Sequence, residues 1–118
     1  MATENVIKVK SYEFAKKIVR MSRLIRKKGD SVLARQVLRS GTSIGANVEE
    51  AHAAQTRKEF HSKMTISFKE ANETRYWLRL LRDTDEAGID YRESLRDIEE
   101  LIRILAAITK STRTANRK

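Results

Sequence analysis

The chain contains no proline in its 118 residues. Proline inside a helix removes a backbone hydrogen bond and clashes with the preceding turn. Without it nothing forces a helix to stop, so breaks must come from glycine and short polar clusters. Three such places occur: "KKGDS" at 27–31, "DEAGID" at 85–90, and a softer one, "AQTRKE", at 54–59. They divide the chain into four segments, and each carries an apolar repeat of three and four residues, the period of an amphipathic helix.

In the first segment Phe14, Ile18, Met21 and Ile25 share one face, while Lys16, Arg20, Arg23 and Lys27 follow the same rhythm on another. Gly29 suits a helix end and Asp30 or Ser31 the cap of the next helix. The second segment contains "RSGTSIGANVEEAH", which could be read as a phosphate-cradling loop. The apolar steps Ala34, Val37, Gly41, Ile44, Val48 and Ala51 run straight through it. No lysine follows Gly45, as a Walker loop would require. Gly41 and Gly45, with Ile44 and Val48, are therefore expected to be helix-packing residues, their bare backbone allowing close approach. Each glycine costs about 1 kcal/mol against alanine in a helix interior, and a close contact would offset that. In the third segment Phe60, Met64, Ser67, Ala71, Thr74, Leu78 and Leu81 form the seam, with Phe68, Trp77 and Leu80 widening it. A helix over 57–82 would be ~39 Å long. The fourth carries Tyr91, Leu95, Ile98, Ile102 and Leu105, flanked by Leu101, Ile104 and Ile108. That surface is wide enough for a central helix or one that also meets another subunit. Short connections and no strand pattern predict one all-α domain, an antiparallel up-down-up-down four-helix bundle. Its ordered core is expected over about 6–109, with a frayed basic tail at 110–118.

No apolar run approaches the ~20 residues of a bilayer span, and lysines interrupt the N-terminus, so a cytoplasmic protein without a membrane partner is expected. No cysteine is present, which excludes disulfides and thiolate metal sites. The net charge of +9 is uneven. Residues 1–30 hold nine Lys/Arg against three acids, and "KSTRTANRK" at the end holds four and none. A localised excess favours polyanions. Lys16, Arg20, Arg23 and Lys27 make one candidate stripe for nucleic acid, Lys17 and Lys28 widen it, and Arg113, Arg117 and Lys118 would add an arm. Trp77, Tyr76, Phe60 and Phe68 lie on the core-rich third segment and do not alternate with this stripe, so base stacking is not expected.

Catalytic chemistry finds little to work with. Glu49 and His52 form one E-x-x-H pair, but a di-iron bundle needs two, and His61 has no glutamate three residues before it. Neither histidine lies in a nucleophile–base motif. No enzyme, metal site or cofactor is expected. Asn47, Glu50, Glu70, Glu73 and Arg75 are expected to form a polar cluster, at the bundle's middle or at a subunit junction, that fixes register, with a part in a site as the less favoured alternative.

The stretches "LRSGTSIGANVEEAHAAQTRKEFHSKM" and "EANETRYWLRLL" resemble the small four-helix-bundle proteins encoded in intervening sequences of bacterial large-subunit ribosomal RNA genes. The likeness runs from about Tyr12 to Leu105. It implies an up-down bundle assembled as a ring-shaped homopentamer and no established catalytic activity. A related branch, the accessory variability proteins of diversity-generating retroelements, binds nucleic acid and a reverse transcriptase. Nucleic acid, RNA ahead of DNA, is thus the expected partner, with an adaptor role on a reverse transcriptase as the alternative.

Overall fold

The computed structural model describes residues 2–84 and 88–116. Four helices follow one another: α1 (Ala2–Lys27), α2 (Ser31–His52), α3 (Arg57–Thr84) and α4 (Arg92–Asn116). Among the described residues there is no strand. The molecule measures 51 × 21 × 20 Å.

The breaks fall where glycine and the capping residues put them. Gly29 turns the chain at φ 109°, in the region that favours glycine. The Asp30 carboxylate then accepts the Leu33 N–H at 2.9 Å and caps α2. Thr56 Oγ1 accepts the Glu59 N–H at 3.0 Å, while Glu59 reaches back to the Gln55 N–H at 2.8 Å, a reciprocal cap for α3. Asp90 accepts the Arg92 N–H at 3.0 Å in front of α4.

Each helix lies antiparallel to its neighbours, as pairs of contacts show. Ile18 lies against Gly41 and, further down, Ser11 against Gly45, which sets α1 on α2. Ser67 donates to the Ile44 carbonyl at 2.9 Å, and Thr74 and Ser40 share a hydrogen bond of 2.9 Å, which sets α2 on α3. His61 meets Thr112 at 2.7 Å and Arg75 donates to Glu99 at 2.8 Å, joining α3 to α4. Lys17 reaches Glu93 and Asp97 across the seam between α1 and α4. That last seam is the loosest of the four, and the diagonal pair α1 and α3 meets through side chains at one end, where Arg57 lies 3.8 Å from Glu4. The ring of helices is thus 1–2–3–4, the up-down order that short connections allow.

The core holds Ile7, Phe14, Ile18, Ile44, Val48, Met64, Leu78, Ile98 and Leu105 among others. All seven seam residues of α3 are buried as the periodicity predicts. Both apolar rows of α4 meet the bundle: Leu101 and Ile108 of the flanking row are buried in the core with Tyr91, Ile98 and Leu105, and Leu95, Ile102 and Ile104 pack partly buried against it. Two expectations change. Helix α1 begins by Ala2, and its core face extends down to Ile7 and Ser11. Helix α4 does not fray at Thr109 but continues to Asn116. Thr112 explains this. It is buried, donates to the Ile108 carbonyl at 2.9 Å and faces His61. Among the described residues no helix is long and apolar enough to cross a membrane.

Candidate nucleic-acid interface

On α1 the core face and the basic face are opposed. Phe14, Ile18 and Ile25 point inward, and Arg20, Arg23 and Lys27 are exposed on the far side. No ion pair holds these three among the described residues. Arg26, also exposed and unpaired, flanks them. Arg26 and Lys27 stand in the last turn, where a cation favours the helix dipole. That effect fades within a turn, so it gives no account of Arg20 and Arg23.

The other candidates separate. Lys16 pairs with Glu13 at 2.9 Å and lies over the Tyr12 ring, 5.3 Å from its centre. Lys17 donates to Glu93 at 2.6 Å and Asp97 at 2.9 Å, and clasps α1 to α4. The hydrogen bond to Glu93, then that to Asp97, raises its pKa above the ordinary lysine value. The Lys17 ammonium in turn lowers that of Glu93. Lys28 closes α1, its main-chain N–H bonded to the Leu24 and Ile25 carbonyls. Arg113 is exposed near the end of α4, which antiparallel packing places beside the start of α1, at the opposite end from Lys27. Arg117 and Lys118 lie outside the described residues.

Sequence reading missed Arg35. It is exposed on α2 and unpaired among the described residues. The register of Ile18 on Gly41 and Ser11 on Gly45 brings it roughly level with Arg23. Only the α1–α2 pairing reveals that adjacency. It missed Tyr12 too, although Tyr12 precedes Lys16 by four residues in the stripe's own rhythm and is 62% exposed.

The packing residues stand where the periodicity puts them: Gly41, Ile44, Gly45 and Val48 are all buried. A Cβ on Gly41 would come within 2.8 Å of Ile18 Cγ2, and one on Gly45 within 3.3 Å of the Ser11 carbonyl oxygen. "SGTSIGAN" is therefore helix, with a bare side against α1.

The polar residues expected to cluster are dispersed instead along the surface seams. Asn47 donates to its own helix at the Ser43 carbonyl, 2.9 Å away. Glu50 pairs with Lys63 at 2.7 Å. Arg39 of α2 grips Glu70 and Glu73 of α3, and Glu73 also accepts the Trp77 indole N–H at 2.9 Å. Long side chains at helix edges reach across to the next helix rather than inward, which avoids burying charge. The E-x-x-H pair parts as well. Glu49 turns to Lys8 at 3.8 Å, whereas His52 Nδ1 bonds the Val48 carbonyl at 2.9 Å, its ring edge-on to Phe60. Among the described residues no three His, Cys, Asp or Glu converge as a metal site would need.

A family model described as 23S rRNA-intervening sequence protein matches residues 3–107. A crystal structure of a protein with unknown function from the S23 ribosomal protein family of Bacteroides thetaiotaomicron is 44% identical, with a TM-score of 0.85. The match covers 92% of this chain and 98% of that one. No curated protein matches.

Proposed function

The chain belongs to the family of 23S rRNA-intervening sequence proteins, and from that premise we propose that it is a non-enzymatic nucleic-acid-binding bundle of the cytoplasm, with RNA as its main partner. The observation that carries this reading is the line Arg20–Arg23–Lys27, exposed and unpaired, on the side of α1 that the core does not use. Exposed surface ion pairs are easily formed, and this protein forms many elsewhere. A row that holds no ion pair among the described residues is suited to phosphates. Arg26 and Arg35 broaden it. The family resemblance supports assembly as a homopentameric ring, in which five such rows would act together through multivalency.

The test is titration of labelled RNA and DNA across a salt series, with the molecular mass in solution measured alongside. Binding should be tight at low salt. With three phosphates contacted it should weaken by roughly twentyfold for a single strand, and roughly fortyfold for duplex DNA, between about 50 and 200 mM salt. Replacing Arg20, Arg23 and Lys27 together with Glu should abolish binding and leave helicity unchanged. Absence of binding at low salt, or affinity indifferent to salt, would overturn the proposal.

A further inference from the structure

Tyr12 stands in line with the free cations. Its ring lies on the outer face of α1, away from Phe14 and Ile18, and is 62% exposed. The core gains little from it, and its hydroxyl has no hydrogen bond among the described residues. Lys16, one turn on, holds its ammonium 5.3 Å from the ring centre. A cation so placed orients the ring and occupies at most one of its two faces. Arg20, Arg23 and Lys27 continue along the same side, with Lys27 ~22 Å up the axis from Tyr12.

An aromatic platform followed by a row of cations is the arrangement that single-strand binders use, with a base on the ring and phosphates on the charges. A duplex cannot use the platform, because its bases are already stacked on one another and turned inward. Glu13 neutralises Lys16 in the free protein, so an incoming phosphate would have to displace a carboxylate there. The first uncontested phosphate position is Arg20, ~12 Å from Tyr12 along the helix, a gap that an extended strand bridges and a rigid duplex phosphate track does not need. We propose that the preferred partner is single-stranded nucleic acid, with one base stacked on Tyr12 and the following phosphates on Arg20, Arg23 and Lys27. This rests on the binding surface proposed above and gives it a substrate class.

The experiment compares three labelled probes on the full chain: a short oligoadenylate, the same strand annealed to its complement, and an abasic strand of equal length. Wild type should bind the oligoadenylate most tightly. Tyr12→Ala should weaken that binding fivefold or more, about the lower value of one lost stacking contact. The duplex and abasic strand should bind the variant as they bind wild type, and Tyr12→Phe should restore the oligoadenylate. The salt slope should not change with Tyr12→Ala, because stacking releases no counterions. The inference falls if Tyr12→Ala binds all three probes like wild type, and in that case salt-sensitive loss in Arg23→Gln would leave the backbone reading standing. It also falls if Tyr12→Ala lowers the mass of the assembly, since the ring would then be a subunit contact beside the exposed Val9. No binding of any probe at low salt overturns both readings together.

Discussion

At the scale of single residues, two glycines meet α1 in different ways. Alanine at Gly41 would press its methyl into Ile18. The helix-propensity gain of about 1 kcal/mol should be outweighed by an overpacking cost of about 1–3 kcal/mol. Gly41→Ala should therefore lower the melting temperature, and the penalty should shrink in a background of Ile18→Ala, which removes the obstructing methyl. Buried hydroxyls offer a second contrast. Ser67→Ala removes only a donor to a carbonyl that the helix already satisfies and should cost about 1 kcal/mol in denaturant unfolding. Thr74→Val strands the Ser40 hydroxyl in the core and should cost more, about 1–3 kcal/mol. The burial of Gly41 and Gly45 was legible, because apolar steps bracketed them in helical period. The Ser67–Ile44 and Thr74–Ser40 bonds were not, because they depend on which helix lies opposite and at what height. Periodicity places Ser67 on the inward face and says nothing of the Ile44 carbonyl waiting there.

At the scale of the helix, α1 is divided lengthwise between two tasks. Lys17, at the border of the basic face, is drawn into the α1–α4 seam by Glu93 and Asp97. From sequence alone it was indistinguishable from Lys16 or Lys27, since its partners lie 76 and 80 residues away. The clasp has a pH signature. The Lys17 ammonium holds the Glu93 carboxyl below its ordinary value, and Arg92 holds that of Asp90 at about 2. A carboxylate lowered on folding contributes stability that is present above its unfolded pKa and lost as pH falls through the folded one. Thermal melts should therefore decline as pH drops below about 4, and Lys17→Met should make that decline slightly shallower, by lowering the melt a little at neutral pH, where an exposed ion pair contributes modestly, and not in acid, where the pair is already lost. The cap at Asp30 belongs to the same scale. Asp30→Ala frees the Leu33 N–H and should cost about 1 kcal/mol in urea unfolding. Of the four helices, α3 was the most legible, since its seven-residue seam is unbroken. The two ends least legible were the start of α1, where lysines mask Ile7 and Ser11, and the end of α4, where only a distant histidine explains why Thr112 turns inward.

At the scale of the whole molecule, the row Arg20–Arg23–Lys27, with Arg26 and Arg35, stands towards one end of a rod 51 Å long, beside the α1–α2 turn, while Lys58, Lys69, Arg79, Arg96 and Arg103, also exposed and without an ion pair among the described residues, are spread along α3 and α4. Arg113 is left at the other end, so Arg113→Gln should change RNA affinity far less than Arg23→Gln in the same titration. The four seams are also unequal. Three of them join helices that follow one another in the chain, and only the loosest joins the first to the last. A protein held together mainly by its sequence neighbours has low contact order, and helical domains of that kind complete folding within microseconds to milliseconds. Each hairpin can form before the circle closes, so the α1–α4 closure should be a late event. Stopped-flow or temperature-jump measurements on Lys17→Met should then show faster unfolding with an unaltered folding rate.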